Sequence, residues 1–410
     1  MKTMIPSSLL ALALALALGV SACRTAANSS EIKTDGTPDS SAQTTAIPTE
    51  ASGPYIIKDS DYNKVLDSEI LPFMANGRKG YFEGVGKRKL EYALYEHDNA
   101  KASIVIVHGY TQSDRSFGEL VYTLWKNGYT VNTYSQIGHG CSENLLLSDK
   151  ENLDAMATEC KQFQTRKIGG KTFYKNSKYG RVHVDVYERY IDDMKTFMTM
   201  VKNPALKTYL YCHSMGGGVC ARALEMVPNL ADAVFLSSPM LRNKTLGLPY
   251  WAANFVSKAM VLAGPEKYGL NQKDFAAEDF IFGKNTDHSS KLRFDSTPKF
   301  WSMQNGAFRS GSTTEHVHAL IRLTTDVVKP ANATRVTVPV FLNAADPSLD
   351  RWVELRGDES FCGVIKTCKL KIRTGARHEI YNEVDSIRLP YIIDMLEFFA
   401  DPSSFVSKAN

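Results

Sequence analysis

Little in this chain is extreme. Its 48 lysines and arginines face 44 aspartates and glutamates, a formal charge of +4 over 410 residues. No basic stripe with interleaved aromatics stands out, which disfavours nucleic-acid binding. Cysteine is scarce, at seven residues. The apolar run Leu9–Val20 falls short of the roughly 20 residues needed to span a bilayer. From Thr25 to about Ser52 there is almost no apolar periodicity, only a mixture rich in Ser, Thr, Ala and Pro. Such a segment cannot bury enough surface to offset its ordering entropy, and it reads as a flexible tether. The overall composition, 43% hydrophobic and 22% charged, is that of a globular protein with room for one large domain or two modest ones.

The amino terminus reads as a targeting segment. Lys2 supplies a sparse positive start, and the Leu/Ala run suits the hydrophobic region of a signal peptide. It closes on Val20-Ser21-Ala22-Cys23, which resembles the lipobox of bacterial lipoproteins. The resemblance implies cleavage before Cys23 and lipidation of its thiol and new amino terminus. Several acyl chains anchor stably where one is marginal. Arg24 follows where an Asp would mark inner-membrane retention under the enteric sorting rule, so the outer membrane is favoured. The expected organisation is a signal peptide at 1–22, a lipidated Cys23 with linker at 23–53, and a folded body at 54–410. That places the protein in a bacterial cell envelope, held to a membrane through Cys23.

Setting Cys23 aside leaves six cysteines in an exported chain. Cys141 and Cys160 bracket an insertion, and Cys362 and Cys368 lie close together, so each pair is a candidate disulfide. Cys212 and Cys220 are expected to be buried free thiols.

The body alternates strand and helix. Tyr81–Gly86 and Lys89–Tyr95 read as a hairpin around a glycine turn. Ser103–Val107 is a continuous β-branched run, as expected of a strand buried on both faces. A helix over Phe117–Lys126 and a strand over Tyr129–Tyr134 follow. Apolar positions from Val186 to Val201 recur at spacings of three and four, giving one broad helix face. Further strands are expected at Ala233–Leu236, Val338–Leu342 and Leu370–Ile372, with a last helix carrying Ile387, Tyr391, Met395, Phe398 and Phe399. This alternation predicts a mainly parallel sheet with helices on both faces. Residues from about 240 to 331 break the pattern. They are aromatic-rich, with Trp251, Phe255, Phe275, Phe280, Phe300 and Trp301, and mostly helical, so they are expected to form an inserted cap. His316 and His318, two apart on a helix, point to nearly opposite sides and do not suggest a shared metal.

The chemistry is expected at Leu210-Tyr211-Cys212-His213-Ser214-Met215-Gly216-Gly217-Gly218. A strand runs into a small-residue corner and out as a helix, the nucleophile elbow that lifts a serine hydroxyl above a sheet edge. Cys212 stands where strict G-x-S-x-G has its first glycine. A serine hydroxyl needs an adjacent base, itself oriented by a third group. His378 falls after a strand and before the last helix, where a base is required. Asp346 sits just past the strand ending at Leu342 and is preferred as the acid over its neighbours Asp350 and Glu354. Backbone N–H groups of Met215, directly after the serine, and Tyr110, after the strand ending at Val107, are the expected oxyanion donors.

From about Tyr81 to Phe399 the chain resembles the α/β-hydrolase branch that includes monoacylglycerol lipase and the bacterial lysophospholipases. The resemblance rests on Phe82-Glu83-Gly84-Val85-Gly86, Val107-His108-Gly109-Tyr110, His213-Ser214-Met215-Gly216-Gly217, Ser237-Ser238-Pro239-Met240, Ala345-Asp346 and Gly375-Ala376-Arg377-His378-Glu379. The cap, in Thr286-Asp287-His288-Ser289 and Lys291-Leu292-Arg293-Phe294, looks closest to the lysophospholipase type. The resemblance implies an α/β-hydrolase fold and hydrolysis of carboxyl esters of single-chain lipids. It also implies a Ser214, Asp346, His378 triad, oxyanion donors Tyr110 and Met215, and no cofactor. The family's Asp-x-Arg-Gly-His-Gly is replaced by Ser135-Gln136-Ile137-Gly138-His139-Gly140, and Cys141–Tyr179 is longer than the usual connection. Two other readings compete. A proline-iminopeptidase-like peptidase would need an acidic cap cluster, for which Glu278 and Asp279 are the adjacent pair. A noncatalytic binding protein would need no matched Ser, Asp and His.

Overall fold

Five consecutive strands explain most of the architecture, because each is buried on both sides. In β3 (Ser103–Val107) every residue is buried. Val105 and Val107 face one apolar layer, and Ile104 and Ile106 face the other. In β7 (Thr208–His213) Leu210 and Cys212 divide from Tyr209 and Tyr211 in the same way. The period of two sends alternate side chains to opposite faces, so a strand with no polar face has to be covered twice.

The structure, a computed structural model, describes residues 53–158, 160, 165–174, 177–274, 276, 278, 280–284, 286–302, 309 and 311–407. The expected signal peptide, Cys23 and most of the linker lie outside these residues, as do Phe275 and Asp279 and the side chain of Trp301. Pro54–Asn410 forms one unit. Among the described residues no helix is long and apolar enough to cross a membrane.

The main sheet has eight strands in the order β1-β2-β4-β3-β7-β8-β9-β10. β1 (Arg78–Glu83) and β2 (Lys89–Tyr95) form the expected antiparallel hairpin, and β2 also runs antiparallel to β4 (Thr130–Tyr134). From β4 through β3, β7, β8 (Ala233–Ser237), β9 (Val340–Ala345) and β10 (Cys368–Arg373) every pairing is parallel. Helices Glu188–Val201 and Met215–Met226 cover one face, and Gly118–Lys126 and Asp385–Ala400 the other. This is the α/β-hydrolase arrangement expected above.

The chain between β8 and β9 carries helices Tyr250–Ala263, Lys291–Ser302 and Thr314–Val327. It is not a detached lid. Thr314–Val327 sends Ala319, Leu320, Leu323 and Val327 into the apolar layer beside the elbow helix. Arg293, from the second helix, pairs with Glu119 at 2.8 Å and with Asp59 at 2.5 Å. The Cys141–Tyr179 insertion contains a helix at Asp149–Thr158 and a two-stranded hairpin, β5 (Thr165–Ile168) with β6 (Lys171–Tyr174).

Cysteine pairing differs from expectation at the elbow. Cys212 and Cys220, expected to be free thiols, are joined, with Cα atoms 6.5 Å apart. The strand's last turn toward the serine and the second turn of the following helix fold back on each other, which brings the two side chains together inside the core. Cys141 is bonded to Cys160 and Cys362 to Cys368.

Candidate active site

Ser214 occupies the corner between β7 and helix Met215–Met226 with φ 51° and ψ −119°, a conformation that costs a non-glycine residue energy and persists only when its surroundings fix it. Here its N–H donates to the Ser237 carbonyl at 3.1 Å, and its carbonyl accepts from Met240 at 2.7 Å and Gly218 at 3.2 Å. Close packing makes two glycines necessary. A Cβ on Gly216 would lie 2.4 Å from the Val107 carbonyl oxygen, and one on Gly109 would lie 2.9 Å from the Cβ of Ser214.

The Ser214 hydroxyl lies 2.8 Å from Nε2 of His378, and Nδ1 of the same ring lies 2.7 Å from Asp350 Oδ2. Asp350 Oδ1 accepts from the N–H groups of Trp352 at 2.8 Å and Val353 at 3.2 Å. A carboxylate at Nδ1 places the proton there and leaves Nε2 free to accept from the serine. Burial pushes the His378 pKa down, but attraction to Asp350 and the bond to it, with smaller pulls from Asp287 and Glu379, outweigh burial, and the ring ends above its ordinary value. Burial likewise works to raise the pKa of Asp350, yet His378 and the two backbone donors hold it below the usual range.

Asp346, preferred from sequence, does not reach the histidine. Its Oδ2 accepts from Gly375 N at 2.9 Å, and its Oδ1 accepts from the N–H of Ser348 at 3.0 Å and from that residue's hydroxyl at 2.6 Å. It pins the loop that carries His378. The chain needs one further turn, with Asp350 N donating to Asp346 O at 2.8 Å, before a carboxylate comes level with the imidazole. Glu354 is held by Arg242 at 2.8 Å and Arg356 at 2.5 Å.

Met215 opens the elbow helix, and N–H groups in a first turn have no acceptor within their own helix. Tyr110 lies in the loop after β3 and lines the same cavity as Ser214. Thr111, next along, has φ 62°. The loop is clamped by two glutamines, Gln112 and Gln136, to which the sequence alone assigned no role. Gln112 Oε1 accepts from Gly109 N at 2.9 Å. Gln136 donates its backbone N–H to His108 Nε2 at 2.9 Å and its side-chain amide to the His108 carbonyl at 2.8 Å. The replaced family motif thus supplies a brace for the strand end that carries Tyr110. Burial holds His108 down at about 4, so the ring is neutral and can accept. His316 and His318 part as expected: His316 meets Ser312 at 2.8 Å and Tyr190 at 3.1 Å, and His318 meets Ser257 at 3.0 Å.

Ser214 and His378 open into a cavity of about 590 Å³. One side is apolar, with Met240, Leu248, Ala253, Val256, Met260, Val317, Leu320 and Ile321. Beside it lies a second chamber of about 540 Å³ whose lining is more polar than that of the first, and Tyr110, Gln112, Asp287, Trp352 and Glu379 face both.

Fold and elbow define a serine hydrolase of the α/β-hydrolase superfamily. The sequence profile of the serine aminopeptidase S33 family matches residues 98–385, and the chain belongs to that family. It is 22% identical over 344 residues to lysophospholipase L2 of Escherichia coli strain K12, covering 80% of this chain and 89% of that protein. It is also 22% identical over 307 residues to monoacylglycerol lipase of Mycolicibacterium smegmatis, covering 74% and 90% respectively. Among solved structures, a soluble variant of monoglyceride lipase from Saccharomyces cerevisiae superposes with a TM-score of 0.58 at 15% identity, covering 80% of this chain and 95% of that one. That likeness speaks for the fold alone.

Proposed function

We propose that the protein is an esterase that releases the fatty acid of single-chain lipid esters, lysophospholipid or monoacylglycerol. The observation that carries this reading is a serine hydroxyl 2.8 Å from an imidazole, at the mouth of an apolar cavity sized for one acyl chain. The names of the relatives, lysophospholipase and monoacylglycerol lipase, support it.

In this mechanism Nε2 of His378 takes the Ser214 proton as Oγ attacks the ester carbonyl. Asp350 stabilises the imidazolium without taking the proton itself. The oxyanion gathers at the N–H groups of Tyr110 and Met215, assisted by the positive end of the elbow helix. Collapse of the intermediate breaks the ester bond, and His378 returns its proton to the departing alcohol oxygen. Water, deprotonated by the same nitrogen, then cleaves the acyl-serine to free fatty acid and Ser214. Anchoring through a lipidated Cys23 in a bacterial envelope belongs to the same proposal. Trp251, Phe255 and Leu262, exposed along one helix of the insertion, would suit work at a lipid surface.

The peptidase reading is weakened by Glu278, whose carboxylate is taken up by the backbone and hydroxyl of Thr172 at 2.7 and 2.6 Å; Asp279 lies outside the described residues. Fatty acid release should be measured from lysophospholipids and monoacylglycerols, beside aminoacyl amides, with Ser214→Ala as control and a fluorophosphonate label on the wild type. Lipid ester turnover lost in Ser214→Ala is expected. Faster cleavage of amides would replace the esterase with a peptidase, and an unlabelled Ser214 would leave only a binding protein.

A further inference from the structure

We propose that the polar chamber receives an ammonium-bearing head group as the leaving half of the ester, with Glu379 as its counter-ion; this rests on the esterase reading above. The direction follows from the chemistry. His378 has to protonate the departing oxygen, so the leaving group passes on the side of that ring, and Glu379 is the next residue along the chain, its N–H donating to the Asp287 carbonyl at 2.7 Å.

The carboxylates that face the chamber beside Glu379 are already matched by cations, while Lys284 stands exposed at its rim. Arg293 and Arg388 both bind Glu119, at 2.8 and 2.5 Å. Arg351 binds Asp287 at 3.0 Å, and Trp352 Nε1 donates to the same oxygen at 2.8 Å. Glu379 receives only amide donors, Gln112 at 2.8 Å and Asn382 at 3.0 Å. Among the described residues no lysine or arginine pairs with it. His288 Nε2 lies 3.9 Å from it, and burial pushes that ring down to about 4, so it is neutral. A carboxylate largely withdrawn from water, with 21% of its side chain exposed, is costly without a cation, and a bound ammonium offsets that cost.

Two further features point to a ligand. Trp352, Tyr381 and Phe280 line the chamber, and aromatic faces attract primary and quaternary ammonium groups. His288 lines it too, is 4% exposed, and has no partner for Nδ1. Burial pushes the carboxyl of Glu379 up to about 7, as an anion awaiting its partner would show. A glycerol leaving group brings no charge to Glu379, and a phosphoglycerol brings its phosphate's negative charge without the ammonium that accompanies it in phosphoethanolamine and phosphocholine.

The test compares kcat/KM for chain-matched lysophosphatidylethanolamine, lysophosphatidylcholine, lysophosphatidylglycerol and monoacylglycerol in wild type and Glu379→Gln. Ratios formed within one variant cancel any loss of folded enzyme. Wild type is expected to prefer the two ammonium lipids over lysophosphatidylglycerol by at least about tenfold, and Glu379→Gln to lose most of that preference, chiefly through KM. The faster of the two ammonium lipids identifies the amine. An unchanged ratio in the variant, or a wild-type preference for lysophosphatidylglycerol or monoacylglycerol, overturns the head-group assignment while the esterase stands. Inactivity of wild type on all four lipids would remove the esterase reading itself.

Discussion

Asp350 and Asp346 sit one turn apart, and it is Asp350 whose carboxylate meets His378, at 2.7 Å. The two aspartates therefore make opposite predictions. Asp350→Asn should leave the fold intact and reduce kcat by roughly 10³–10⁴, because an amide no longer selects the tautomer that keeps Nε2 free. Asp346→Asn weakens the acceptor for Gly375 and Ser348 and should cost about 1 kcal/mol of stability, with kcat changed less than about tenfold. Steady-state kinetics and urea melts of both variants check this, and equal losses of kcat would show that the geometry has been misassigned.

Why the serine and histidine could be read from sequence and the acid could not is a matter of what fixes each. Ser214 is defined by a strand, a corner and a helix in immediate succession, and His378 is the one histidine after β9. The acid hangs on a loop, where distance along the chain says little about direction. Asp346 and Asp350 differ there by one turn. The parallel sheet was legible because its central strands, Ser103–Val107 and Ala233–Ser237 above all, are apolar on both faces. The Cys212–Cys220 link was not, since it depends on how tightly a strand and its following helix fold back. Gln112 and Gln136 act through backbone partners, and no sequence pattern marks such a brace.

The elbow disulfide should add measurable stability. Closing a loop of this length in the unfolded chain is worth about 2–3 kcal/mol, and Cys212 and Cys220 are both fully buried. The double variant Cys212→Ala, Cys220→Ala should lower the urea midpoint accordingly under oxidising conditions. If the midpoint does not move, the bond contributes nothing to folding.

The pH profile follows from the ring that has to be neutral. His378 accepts the serine proton only as free imidazole, and Asp350 holds its pKa above the ordinary value, which is about 6.5. Activity is absent below the folded pKa and rises as pH passes through it, so the acid limb of kcat/KM should have its midpoint above about 6.5. In Asp350→Asn the largest upward pull is gone, leaving burial opposed only by the weaker pulls of Asp287 and Glu379, so the limb of the residual activity should move to lower pH. A limb that stays in place would mean that another group titrates.

Acyl selection gives the most local test of the apolar cavity. Val256 sits half-buried on helix Tyr250–Ala263 and faces the space reached from Ser214. It lies away from the triad and the polar chamber, so a larger side chain there should shorten the cavity without touching the chemistry. Each buried methylene of an acyl chain contributes about 0.8 kcal/mol, so blocking even two of them costs a long chain roughly tenfold. Val256→Trp is expected to lower kcat/KM for a palmitoyl ester by at least that factor relative to a butyryl ester of the same alcohol. The ratio of the two esters cancels any difference in the amount of folded enzyme. Equal losses for both chain lengths would mean that the acyl chain lies elsewhere, and the apolar cavity would then have no claim on the substrate.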